Sequence, residues 1–203
     1  ETGGIYISNT DGDNSGLAIT NFKAAGGQGT YSSAVTSTGN LTVGHVTVDS
    51  GTTYLKSDFG IFDDGNDATS ISAEALTLRA KGAIGTTSHS IVTSAKSLSL
   101  AAVTGIYFDA TATSGTVTFS NVQATSGEIK LTTHTSTKIN DIGHKDFDSN
   151  EAGNSGNIAI TVDSAATPET AAFLDIDALD AGATIWWFRL LCCRRLLTIQ
   201  RII

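Results

Sequence analysis

The side chains best equipped for chemistry are carboxylates gathered in short runs. Asp11-Gly12-Asp13-Asn14-Ser15-Gly16, Asp63-Asp64-Gly65-Asn66-Asp67 and Asp146-Phe147-Asp148-Ser149-Asn150-Glu151 each crowd oxygen ligands of the kind a hard cation takes. The first run matches the opening of an EF-hand loop, with acids at positions one and three and Gly at six. Position twelve falls on Phe22, where a bidentate Glu is required. None of the runs carries the Gly-Gly-x-Gly-x-Asp pattern of calcium β-rolls. Asp11, Asp13, Asp63, Asp64, Asp67, Asp146 and Asp148 are therefore the calcium candidates, set against the simpler reading of solvated Asp-rich turns. No other cofactor is expected.

The same acids raise the question of polysaccharide cleavage, which needs paired carboxylates at a fixed separation on one face. Here they fall in turns rather than at outward positions of successive strands, so catalysis is not expected. His45, His89, His134 and His144 lack the spacing of a zinc site and have no nearby Cys. There is no Gly-x-Ser-x-Gly elbow and no phosphate-binding Gly loop leading into a helix. Thr133-His134-Thr135-Ser136-Thr137 has the Thr-x-Thr form of ice-binding solenoids, but the motif does not return at a fixed period.

Whatever these residues do, the elements that must position them are strands. Apolar–small–apolar triplets recur along the chain, among them Leu41-Thr42-Val43, Leu76-Thr77-Leu78, Leu98-Ser99-Leu100, Ile106-Tyr107-Phe108, Val117-Thr118-Phe119, Ile129-Lys130-Leu131 and Ile158-Ala159-Ile160. Period-two alternation puts both apolar side chains on one face and the middle residue on the other. Gly-polar pairs introduce several of them, supplying corners. Triplets starting at Ile106, Val117 and Ile129 step by 11 and 12 residues, and those at Leu76 and Leu98 by 22. That rhythm predicts coils of about 20–25 residues, each carrying two or three short strands. Gly4-Ile5-Tyr6-Ile7 returns 101 positions later as Gly105-Ile106-Tyr107-Phe108, which reads as one strand of a longer repeat of about 100 residues spanning several coils. The fold expected is all-β, a right-handed parallel β-helix (β-solenoid) with loop inserts at 58–68 and 140–154. A β-sandwich is the alternative, since hairpins also space strands by 8–12 residues.

Coils are expected over 1–166 and an ambiguous terminal coil or cap over 167–184, where Thr167-Pro168-Glu169 resembles a helix start but Asp175-Ile176-Asp177 suits a strand. The segment 185–203 differs in composition. It holds both tryptophans, Cys192, Cys193 and four of the five arginines, so it reads as a non-native end or a basic interfacial helix. The chain up to Asp180 holds all 20 acidic residues and eight basic ones. An acidic body argues against nucleic-acid binding, which needs a basic face. A membrane partner is not expected, except through the tail. Opening in mid-pattern without Met, the chain reads as an excerpt of a longer array or as a processed product.

One stretch is more specific. Ala73-Glu74-Ala75-Leu76-Thr77-Leu78-Arg79-Ala80-Lys81-Gly82-Ala83-Ile84-Gly85-Thr86, followed by Ile91-Val92-Thr93, Leu98-Ser99-Leu100-Ala101-Ala102 and Gly105-Ile106-Tyr107, resembles repeats of filamentous-haemagglutinin-like bacterial surface proteins. The resemblance implies an extracellular or cell-surface β-helix with a structural or adhesive role and no catalytic residues. Its partners would be neighbouring repeats of the same chain and a host-cell, matrix or surface glycan ligand reached through the loops. The competing readings are a carbohydrate-binding or polysaccharide-cleaving β-helix and a calcium-stabilised module.

Overall fold

The structure, a computed structural model, describes residues 4–10, 15–25, 32–66, 70–145, 156–163, 172–177, 179–180, 187–192 and 195–199. The triplets fold as their alternation dictates. In the strand Ala75–Ala80, Leu76, Leu78 and Ala80 are buried while Ala75, Thr77 and Arg79 face outward, half-exposed. One such strand has a single apolar face and cannot stand alone. It is stabilised by laying that face beside the equivalent face of the next coil.

Two parallel sheets result. The first stacks Tyr6–Asn9, Ser33–Ser37, Thr52–Ser57, Ala75–Ala80, Ser97–Ala102, Thr116–Ala124, Ser136–Ile139 and Leu174–Ile176 in chain order. The second stacks Leu17–Ala24, Leu41–Val48, Ser70–Ser72, Ile91–Thr93, Ile106–Ala110, Ile129–Thr133, Ile158–Asp163 and Trp187–Cys192. Among the described residues there is no helix, and the one antiparallel pair is Trp187–Cys192 with Arg195–Ile199. This is a β-solenoid, and hairpin pairing of the sandwich kind is not its organising contact.

Register makes the core continuous. Leu17 pairs with Leu41 and Leu41 with Ile61. The column then passes through single bridges at Ile84 to Ile106, and on to Ile129 and Ile158. Each of these residues after Leu17 is buried. The amides of the first six donate to the carbonyl one coil ahead: Leu17 to Asn40, Leu41 to Gly60, Ile61 to Ala83, Ile84 to Gly105, Ile106 to Glu128 and Ile129 to Asn157, at 2.7–3.0 Å. The first sheet has its own column, Ile7–Val35–Leu55–Leu78–Leu100–Val122–Ile142–Leu179. Across the core, Phe108 of the second sheet meets Phe119 of the first edge to face, with ring centroids 6.2 Å apart. Where the chain turns out of the first sheet, Ser37, Ser57, Ala80, Ala102 and Ala124 stack as a column of small side chains.

The structure corrects several expectations. The expected loop at 58–68 contains the strand Ile61–Asp63, with Ile61 fully buried in the long column. Flanking acids hid a third Gly-Ile-aromatic phrase, Gly60-Ile61-Phe62. Likewise Ile142–Gly143 is a strand and His144 is buried, so the second insert starts later than 140. The repeated Gly-Ile-Tyr phrase does not occupy equivalent places. Tyr6 pairs into the first sheet and Ile106 into the second, so the phrase marks a local device rather than a long unit repeated in register. That device is a ring covering a glycine: a Cβ on Gly60 would strike the Phe62 ring, and one on Gly105 would lie 2.8 Å from the Tyr107 ring. In the tail, Trp187–Cys192 and Arg195–Ile199 are strands, not an interfacial helix. Of the ambiguous segment, Leu174–Ile176 and Leu179–Asp180 take the strand alternative. The Thr167-Pro168-Glu169 helix start lies outside the described residues.

Candidate binding groove

Two steps in register build a concavity on the outer face. Along the strand Leu41–Val48, Val43 pairs with Asp63, yet His45, two positions further, pairs with Ser70. From Asp63 to Ser70 the chain therefore spends five positions more than the strand beneath. In the next coil, Ile84 bridges Ile106, while Ile91 pairs with Phe108, only two positions beyond Ile106. An excursion of the same length thus lies between Ile84 and Ile91. The following coil has no such loop, and Ile106–Ala110 runs straight.

Asp63 and Asn66 of the first excursion and Ser88–Ser90 of the second lie beside Val92 and Asp109 on the outer face. The groove between them encloses about 270 Å³ and is lined by Asp63, Asn66, Ser88, His89, Ser90, Val92 and Asp109.

Local chemistry fixes both walls. Asp63 Oδ1 accepts the Gly65 N–H at 2.6 Å and Asp64 Oδ1 accepts the Asn66 N–H at 3.0 Å, two overlapping Asx turns. Gly65 has φ +79° within them. In the second wall, Gly85 has φ +69°, and a Cβ there would run into the Tyr107 carbonyl oxygen. The turn closes when the Thr86 N–H donates to the His89 carbonyl at 2.8 Å and the His89 N–H donates to Thr86 Oγ1 at 3.0 Å. Ser88 Oγ lies 3.0 Å from His89 Nδ1, orienting the ring.

At the floor, Asp109 points outward from Ile106–Ala110. His134 Nε2, one coil further on, donates to Asp109 Oδ1 at 3.0 Å. Burial pushes the Asp109 carboxyl above its ordinary range; the charge and hydrogen bond of His134 act against this, and Asp163 adds to the rise. Tyr107, two residues earlier on the same face, has its hydroxyl pKa raised by burial and by Glu128.

The sequence-derived candidates meet this site in part. Asp63 lines it and Asp64 stands beside it in the wall. Asp11, Asp13, Asp67, Asp146 and Asp148 lie outside the described residues. Among the described residues no three His, Cys, Asp or Glu side chains converge as a metal would need. Sequence reasoning overlooked Asn66, Ser88, His89, Ser90 and Asp109 as a set. The signal that could have found them is that their two polar turns sit one coil apart, at matched offsets from Ile61 and Ile84.

His45 and His144 serve elsewhere. His45 lies within 3.3 Å of Thr47 Oγ1 and of Ser70 Oγ on the outer face. His144 is buried, and its Nε2–H donates to the Gly127 carbonyl at 2.8 Å.

Compared with known proteins, the chain matches no protein-family model, no curated protein and no solved structure.

Proposed function

We propose that this chain is a structural and adhesive β-solenoid segment of an exported bacterial surface protein of the filamentous-haemagglutinin-like type, without catalysis of its own. The observation that carries the reading is the contrast between the two sides of each strand. Inside, unbroken columns of Leu, Ile and Val stack coil on coil. Outside, the same strands present small polar residues in rows, such as Thr77 beside Ser99 and Thr132 beside Thr161. A rod of this kind holds surface loops at set distances from whatever anchors it, and tolerates inserts wherever a coil can loop out without breaking its column. Both inserts at the groove obey that rule.

The test is adhesion. Beads coated with the purified chain are expected to attach to fixed mammalian cells or to collagen- and fibronectin-coated wells more than albumin-coated beads do, and soluble chain should compete the attachment away. Attachment equal to albumin on every surface would overturn the adhesive role. A polysaccharide-cleaving β-helix would instead release reducing sugar from pectin, xylan or alginate, which is not expected.

A further inference from the structure

We infer that the groove between the loops after Asp63 and Ile84 is a binding site for an uncharged saccharide unit. The inference rests on the adhesive reading above and names the ligand class that reading leaves open. Three observations carry it.

The first is that the groove is built, not left over. The solenoid stacks without either excursion, as the straight strand Ile106–Ala110 shows, yet adjacent coils each spend five extra positions at the same point of the register, and described residues of both line the groove. Hydrogen-bonded turns fix both walls at Asp63–Asn66 and Thr86–His89.

The second is the donor and acceptor pattern. Asp63 and Asp109 accept, whereas Asn66, Ser88, Ser90 and His89 both donate and accept. A sugar hydroxyl is donor and acceptor at once and suits such a mixture, while a cation would call for acceptors alone. Among the described residues no Lys or Arg lines the groove, which disfavours phosphate, sulfate or a sugar acid. The carboxylates are also held in place beforehand, Asp63 by the Gly65 N–H and Asp109 by His134, so little ordering is left to the binding step.

The third is size and relief. At about 270 Å³ the groove falls just below pockets that enclose drug-sized ligands, roughly 300–1,000 Å³, which suits a single sugar ring at the end of a chain. Val92 supplies an apolar patch for the C–H face of the ring.

The experiment applies the whole chain to an array of immobilised oligosaccharides ending in galactose, glucose, mannose, fucose or N-acetylhexosamine, with sialylated and sulfated glycans and polylysine alongside. The strongest neutral binder is then titrated calorimetrically against Asp109→Asn, Asn66→Ala and Ser88→Ala. The expected result is retention of a neutral glycan, with affinity about tenfold weaker in Asp109→Asn and several-fold weaker in the loop variants. Ser88→Ala should melt with the parent, which separates a lost contact from a lost fold. Retention of no neutral glycan, a preference for polylysine, or equal affinity in all three variants would each overturn the inference. If the chain adheres to cells while the groove variants adhere equally well, the groove fails and the adhesive role stands. If it binds a neutral glycan through the groove but no cell or matrix surface, the adhesive role fails and the site stands.

Discussion

Replacing Ile84 by Ala tests how the coils hold one another. Ile84 is fully buried and belongs to no extended strand; it meets Ile61 on one side and Ile106 on the other through single bridges. Its neighbourhood depends on it, since the Tyr107 N–H donates to the Ile84 carbonyl and the Gly85 N–H to the Ile61 carbonyl, both at 2.8 Å. The substitution removes three carbons, each worth about 0.8 kcal/mol of transfer free energy. The unfilled cavity adds to this, giving a loss of about 3 kcal/mol, within the usual range of about 2–5 kcal/mol. For a chain of this length each kcal/mol shifts Tm by about 2–4 °C, so the variant should melt about 6–12 °C lower. Thr77→Ala, an outward substitution one coil-half away, should stay within about 0.5 kcal/mol of the parent. Thermal and urea unfolding followed by circular dichroism compare the two, with an unchanged urea slope marking the effect as native-state packing. A melting point for Ile84→Ala within about 2 °C of the parent, or no lower than that of Thr77→Ala, would refute the continuous column as the source of stability.

Three further outcomes follow from particular side chains. Thr53 is 1% exposed and its buried hydroxyl has no hydrogen-bond partner, in a column that continues as Leu76 and Leu98. Thr53→Val should therefore stabilise by about 1 kcal/mol or more, read as a higher urea midpoint, and a lower midpoint would contradict it. Gly85→Ala combines a left-handed backbone with a Cβ that meets the Tyr107 carbonyl. It should destabilise by about 1–3 kcal/mol, and an unchanged Tm would show that the second loop is not held as described. Asp109 holds its proton more tightly in the folded chain than at its ordinary value of 3.8. Its contribution is thus favourable below that value and is lost as pH rises through the higher folded pKa. Asp109→Asn removes that loss, so its Tm advantage over the parent should widen from about pH 3 to about pH 7. A gap that stays constant or narrows would count against the burial argument.

The coils were legible in the sequence because period-two alternation and a spacing near 11 or 12 are direct consequences of strand geometry and stacking. Leu76-Thr77-Leu78 and Leu98-Ser99-Leu100, for example, pair residue for residue. Ile61 and Ile142 were not legible, because each is a single buried aliphatic position set among acids, and local composition outweighs one residue in any window. The phrase Gly-Ile-Tyr misled for a related reason. A ring laid over a glycine is a local solution that either sheet can use, so its recurrence carries no information on which sheet it occupies. The groove was hidden because it arises from two turns one coil apart, and a turn's sequence does not say what stacks beside it. Only the pairing registers, which jump between Asp63 and Ser70 and again between Ile84 and Ile91, reveal that both loops fall at the same point of the register.

The stacked columns are the claim on which the rod, the loops and the groove all depend, and methyl NMR reads them directly. With the isoleucine δ1 methyls labelled, strands about 4.8 Å apart should give a chain of cross-peaks linking Ile61 to Ile84, Ile84 to Ile106, Ile106 to Ile129 and Ile129 to Ile158. The account predicts that unbroken series. Absence of the Ile61–Ile84–Ile106 links, with cross-peaks instead between sequence neighbours facing each other across hairpins, would contradict it.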